Sequence, residues 1–346
     1  MNALNKIDIS NALRLTRAGK LKEAVAVLRA AAVSAPAAPV TPPREGLLGR
    51  ILNFRQPGSG RAPGEERFMT HSFSNEAGKR AYKLYTPRCY HGQALPLVVM
   101  LHGCTQSPDD FAAGTGMNEL AESEGFFAAY PAQPASANMQ RCWNWFNTKD
   151  QQRDSGEPSL IAGITRQIMQ DHAINPRQVY AAGLSAGGAA AAIMGERYPD
   201  LYAAIGVHSG LACGAANSMA SAFAAMQRGG APLVTPAPNG GVVIPTIVFH
   251  GDKDKTVNVI NGGQVIAQCK AAAKLTSAST EGETAGLRYT RTVQSDDRGR
   301  PVLEAWILHG AGHAWSGGNS AGSFTSPNGP NASREMLRFF LQNAKH

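Results

Sequence analysis

The sequence predicts an α/β protein with a mostly parallel central sheet and helices on both faces, preceded by a short helical N-terminal segment. Three observations carry that prediction. Residues 95–101 (LPLVVML) are an unbroken apolar run, the mark of a strand buried on both faces of a parallel sheet. From there onward, apolar runs of strand length alternate with stretches of helical period. Finally, VYAAGLSAGG at 179–188 sets Gly-x-Ser-x-Gly between a buried strand and an alanine-rich helix.

In chain order, residues 8–32 carry Ala12, Leu13, Leu21, Ala24, Val25 and Leu28 at helical spacing, with Gly19 as a break. The stretch LTRAGKLKEAVAVLRAA resembles half of a tetratricopeptide hairpin, a unit that cannot bury its own face. Residues 1–32 therefore form an amphipathic helical segment, and the Pro-, Ala- and Gly-rich residues 33–66 a linker. The main domain spans 67–346. Strands at 68–74 and 80–86 open it as an antiparallel pair, ahead of the strand at 95–101. Then come a helix near 109–124, a strand at 126–130, a helix at 161–172, the strand at 179–182 and its helix at 189–196. Further strands fall at 203–207, 244–250 and 302–309, and a helix at 333–342 closes the chain. Residues 210–243, rich in Ala, Gly and Pro, read as an irregular excursion or lid.

Composition narrows the function. Hydrophobic content of 43% and charged content of 17% describe an ordinary globular protein. No apolar run reaches the length of a membrane span, and the N-terminus lacks the apolar core of a secretory signal, so a cytoplasmic location is expected. Residues 1–70 hold eleven Lys/Arg against five Asp/Glu, a surplus of six, which leaves two of the formal +8 for the other 276 residues. That basic segment is a candidate contact for a granule or protein partner; no nucleic-acid motif accompanies it. The five cysteines show no zinc-type spacing, no His/Cys/Asp cluster suggests a metal, and reduced thiols are the default without a signal peptide.

The chemistry centres on Ser185. A serine hydroxyl becomes a nucleophile when a histidine takes its proton and a carboxylate orients that histidine. A strand–turn–helix around Gly-x-Ser-x-Gly projects the hydroxyl above the sheet, as in an α/β-hydrolase, where acid and histidine follow at the ends of later strands. Both follow here: HGDKDKTV after the strand at 244–250 and GAGHAW after the strand at 302–309. Asp254 is the expected acid, with Asp252 as its rival, and His313 the expected general base. His102, His208, His250 and His309, also near strand ends, are expected to be partly buried, hydrogen-bonded imidazoles. The backbone N–H groups of Ala186 and Cys104 are the expected oxyanion hole, Cys104 lying in the LHGCTQ loop after the central strand. Trp143, Trp145 and Trp315, with His102 at the head of that loop, are the candidate substrate contacts, while Trp306 lies within a strand and should pack.

Together LHGCTQSPDDFA, CWNWF, GLSAGG, HGDKDKTV and GHAWSGG resemble the esterase family named for polyhydroxybutyrate depolymerases, over roughly residues 68–345. The resemblance implies an α/β-hydrolase fold, carboxylic-ester hydrolysis without a cofactor, and Ser185, Asp254 and His313 as the triad. It also implies a Cys104–Cys142 disulfide and, against the missing signal, an extracellular location. The expected substrate is a polyester oligomer or a small ester: poly- or oligo-3-hydroxybutyrate first, with feruloyl or acetyl-xylan esters as alternatives. A different class of reading makes residues 1–66 a granule- or partner-binding device.

Overall fold

Strand β3 (Leu95–Leu101) lies at the heart of the molecule, and Leu97, Val98, Val99, Met100 and Leu101 are all 0% exposed. The computed structural model describes residues 67–230, 244–270 and 274–345. The chain divides into Met1–Ser59 and Gly60–His346, and every described residue belongs to the second unit. The helical segment and linker expected before residue 67, and the 231–243 part of the expected lid, lie outside the described residues.

The strands are β1 (Phe68–Asn75), β2 (Gly78–Tyr85), β3, β4 (Phe127–Pro131), β5 (Ile174–Leu184), β6 (Ala204–His208), β7 (Thr246–Gly251), β8 (Thr276–Thr284), β9 (Leu287–Ser295) and β10 (Pro301–Leu308). They form one sheet in the order β1-β2-β4-β3-β5-β6-β7-β10-β9-β8. The six strands from β4 to β10 run parallel; β1 and β2 at one edge and β9 and β8 at the other are antiparallel. This is the mostly parallel sheet that the sequence predicts.

Alternation along the central strands divides the core in two. Leu97, Val99, Leu101 and Ala181 face one cluster; Val98, Met100, Tyr180 and Ala182 face the other. The first cluster is capped by α3 (Gly156–Asp171), through Ile161, Ile164 and Ile168, and by the alanines of α4 (Ala186–Arg197). The second is capped by α1 (Pro108–Thr115), α2 (Met117–Glu124) and α7 (Ala332–Gln342), which brings Met336, Leu337, Phe339 and Phe340. Each such side chain taken fully from water contributes about 1.5–3 kcal/mol, so these two layers are what hold the sheet.

Several elements differ from expectation. The single helix expected over 109–124 is two, broken at Gly116, whose φ of +61° ends α1 and precedes α2. Ser107 caps α1, accepting from the Asp110 amide at 3.2 Å, with Pro108 in the first helical position. The excursion expected at 210–243 contains a ten-residue helix, α5 (Met219–Arg228), opened by a capping box of Ser218 and Ser221. Helix α6 (Ile260–Lys270) and the β8–β9 hairpin lack a sequence counterpart. The hairpin turns at Ala285 and Gly286, both at positive φ, and β8 is mostly exposed, so no apolar alternation announces it.

Candidate active site

The end of β5 forces Ser185 out of the regular backbone. Its φ of +58° and ψ of −119° form the turn between β5 and α4. Such a backbone costs a non-glycine residue about 1–3 kcal/mol and persists only where its surroundings impose it. Here the imposition is close packing. A Cβ on Gly187 would lie 1.9 Å from the Leu101 carbonyl oxygen, and one on Gly183 would lie 2.3 Å from the Gly187 carbonyl. Only glycine lets α4 start that near to β3 and β5. The Ser185 amide donates to the His208 carbonyl at 2.9 Å, which fixes the turn on the neighbouring β6.

Asp254 and His313 are brought together by the ends of β7 and β10. Gly251 and Leu308 are register partners, the Lys253 amide donates to the Ala311 carbonyl at 3.0 Å, and the Asp252 amide to the Leu308 carbonyl at 3.1 Å. Above this seam, His313 Nδ1 lies 2.6 Å from Asp254 Oδ2. Asp254 Oδ1 accepts the amides of Thr256 and Val257, each at 2.8 Å. Burial disfavours the Asp254 carboxylate, but the hydrogen bond and charge of His313 and the two amides outweigh it and hold the carboxyl below its usual range. An ionised acceptor puts the proton on Nδ1 and leaves Nε2 of His313 as a base. Nε2 has no partner among the described residues. The rival Asp252 makes a separate pair, with His309 Nδ1 at 3.1 Å and the Gly310 amide at 2.7 Å.

Two buried histidines stand at the same strand ends, one bonded to Ser185 and the other against Asp254. His208, 0% exposed, carries the carbonyl that accepts from Ser185, while its Nε2 accepts the Ser316 amide at 3.1 Å. Its ring stacks on Phe249 and Trp315, and burial, with the nearby charges of His250 and His313, pushes its pKa down to about 3. His250 Nε2 meets the Val257 carbonyl at 2.8 Å and lies 3.6 Å from Asp254 Oδ2. The carbonyl can only accept, so Nε2 carries the hydrogen, and burial lowers this pKa as well.

The loop after β3 is braced from behind. A disulfide joins Cys104 to Cys142, with Cα atoms 4.2 Å apart; Cys89, Cys213 and Cys269 are free. The Thr105 amide donates to the Gln140 carbonyl at 2.6 Å, and Trp143 Nε1 to the His102 carbonyl at 3.1 Å. Neither the Cys104 nor the Ala186 amide donates to another described residue, which leaves both available to a ligand at the start of α4.

The aromatic candidates are packed into the protein. Trp143 and Trp315 are each 1% exposed and Trp145 is 6% exposed. Trp315 packs edge-on to Phe111, stacks on His208 and donates to Ser333 Oγ at 3.1 Å. His102 is 1% exposed, its Nδ1 on the Gly103 carbonyl and its Nε2 accepting the Gln133 amide, and burial lowers its pKa to about 4. These four groups are buried among the loops that carry them. Large rings satisfy the loop's apolar needs first, because burying one gains more than exposing it.

Residues that sequence reasoning missed form the buttress. Buried Glu157 accepts the Asn144 amide and side chain, each at 2.7 Å, and also bonds Gln133. Gln106 accepts the Gly103 amide at 2.9 Å and donates to Asp110 and Ser323. A glutamine in an LHGCTQ loop was the one available signal. Among the described residues no group of His, Cys, Asp and Glu could hold a metal ion, and no helix is long and apolar enough to cross a membrane.

Comparison with known proteins bears on the fold and the family. Among solved structures, an acetyl xylan esterase from Aspergillus awamori superposes with a TM-score of 0.57 at 18% identity, covering 76% of this chain and 94% of its own, which shows the α/β-hydrolase fold. Poly(3-hydroxyalkanoate) depolymerase C of Paucimonas lemoignei is 32% identical over 229 residues, 63% of this chain and 54% of that protein. An acetylxylan esterase of Coprinopsis cinerea is 24% identical over 81% of this chain and 77% of its own length. The chain spans about half the length of the two depolymerases it matches. The family profile described as Esterase PHB depolymerase matches residues 80–289, well over half of the chain, and the protein therefore belongs to the polyhydroxybutyrate depolymerase family of esterases.

Proposed function

We propose that this protein is a serine carboxylic-ester hydrolase in which Ser185 is the nucleophile, His313 the general base and acid, and Asp254 the residue that orients His313. The observation that carries the reading is the 2.6 Å pair of His313 and Asp254, which frees Nε2 in a chain whose Gly-x-Ser-x-Gly turn holds Ser185 at positive φ. Ser185 Oγ attacks the ester carbonyl carbon as its proton passes to His313 Nε2. The amides of Cys104 and Ala186 receive the negative oxygen; each such donor stabilises the transition state by roughly 3 kcal/mol. The intermediate collapses by breaking the bond to the alcohol oxygen, to which His313 returns the proton. Water, deprotonated by the same nitrogen, then releases the acid from Ser185.

The names of the relatives support poly- or oligo-3-hydroxyalkanoate esters as the substrate class, with acetyl-xylan and feruloyl esters as the competing choices. The Cys104–Cys142 disulfide supports an oxidising compartment over the reducing cytoplasm. The test is hydrolysis of p-nitrophenyl butyrate, a 3-hydroxybutyrate oligomer, methyl ferulate and acetylated xylan by wild type and Ser185→Ala. The reading requires kcat to fall by on the order of 10⁶-fold in the variant, the behaviour of serine-triad hydrolases. Equal turnover by both proteins would overturn it.

A further inference from the structure

Among the described residues, Phe324 is a large apolar side chain that lies beside His313 and stays open to solvent. It is 46% exposed, and its ring stands edge-on to the imidazole, centroids 6.5 Å apart and planes at 79°. Its backbone is left-handed, φ +53°, a conformation disfavoured for a bulky residue and adopted routinely by glycine. Four of the seven non-glycine residues with positive φ among the described residues, Thr105, Ser185, Ser209 and Phe324, lie in loops of this site.

The segment is fixed on both sides. Trp315 donates its amide to the Phe324 carbonyl at 2.7 Å, and Trp315 and Ser316 pair with Thr325 and Ser326 in a short parallel ladder. On the other side the Ser323 amide donates to Asp110 Oδ1 at 2.9 Å, and Gln106 Nε2 to the Ser323 carbonyl at 3.0 Å. Gln106 is also the acceptor of the Gly103 amide, so one glutamine joins the oxyanion loop to the segment that bears Phe324. The fold thus holds an exposed phenyl ring in a costly conformation, between the loop after β3 and the loop that bears His313.

We infer that Phe324 is the specificity-determining residue for the alcohol half of the ester, its ring being the wall against which the departing alcohol lies. The inference rests on the serine-esterase reading. In that mechanism His313 Nε2 gives its proton to the alcohol oxygen, which brings that oxygen within about 3 Å of the imidazole. Substituents on the alcohol then reach the ring that flanks the imidazole. The alcohol leaves at acylation, so Phe324 acts on formation of the acyl-enzyme and not on its hydrolysis.

The experiment compares wild type, Phe324→Ala and Phe324→Leu by kcat/KM on ethyl and benzyl butyrate, which differ only in the alcohol, and on ethyl butyrate and ethyl hexanoate, which differ only in the acyl group. Thermal unfolding of each variant confirms that it is folded. Phe324→Ala is expected to lower the benzyl-to-ethyl ratio about tenfold, the scale of lost pocket contacts, with Phe324→Leu in between. The hexanoate-to-butyrate ratio should stay within about twofold by the same scale. An unchanged alcohol ratio in both variants, or an acyl ratio that moves as far, overturns the assignment alone. A folded wild type inert on every ester overturns the esterase reading on which it rests.

Discussion

Asp254 holds His313 with one carboxylate oxygen and its own loop with the other: Oδ2 meets Nδ1 at 2.6 Å while Oδ1 accepts the Thr256 and Val257 amides. The loop that positions the acid is therefore tied by the acid. An amide side chain can keep the loop bonds yet cannot impose the same tautomer on the ring. Asp254→Asn is expected to fold and to lose on the order of 10³–10⁴ in kcat. Asp252→Asn, whose partners are His309 and Gly310, should change kcat less than about threefold, the scale of a partly exposed pair. Comparing kcat for the two variants on one ester decides between the carboxylates.

Trp315→Ala is expected to destabilise the protein by roughly 3–5 kcal/mol, because the ring is 1% exposed between His208 and Phe111. Urea unfolding measures the loss. A stable variant with only a raised KM would return Trp315 to the substrate.

The Cys104–Cys142 bond closes a loop with a sequence separation of 38. On the chain-entropy account it stabilises the fold by about 4 kcal/mol. Cys104→Ser/Cys142→Ser should therefore lower the unfolding midpoint, and mass spectrometry of the unreduced wild type should find only three free thiols. Five free thiols would remove the disulfide from the account.

Acid should weaken the fold well before the carboxylates titrate. His102 and His208 are buried with pKa values lowered to about 4 and about 3 from 6.5. Below 6.5 the unfolded chain takes up protons that the folded chain refuses, so stability falls with pH. Each histidine contributes about 1.4 kcal/mol per pH unit within that window. Asp254, whose folded pKa is lowered, adds stability that is present above its unfolded value and lost as pH falls through the folded one. Thermal unfolding from pH 7 to pH 4 checks this, and a midpoint that stays flat down to pH 5 would contradict it.

The sheet was legible because its central strands are continuous apolar runs; β3 falls at 95–101 as expected. The β8–β9 hairpin was not, because most of its residues face solvent and no period marks them. The elbow around Ser185 was legible because close packing at positions 183 and 187 excludes every side chain, which leaves glycine in the sequence. The tryptophans were ambiguous because a ring in a motif loop can brace the loop or face a substrate: Trp143 Nε1 bonds the His102 carbonyl. Gln106 and Glu157 escaped notice because they act through partners far along the chain, such as Ser323 and Arg80.

The most direct measurement is trapping of the acyl-enzyme. Wild type is mixed with p-nitrophenyl butyrate, quenched in acid before steady state, digested and mapped by mass spectrometry. The account predicts a butyryl group on the peptide that carries Ser185, formed together with a burst of p-nitrophenol and absent from Ser185→Ala. Butyryl on another residue, or an unacylated Ser185 in an enzyme that turns over, would contradict it.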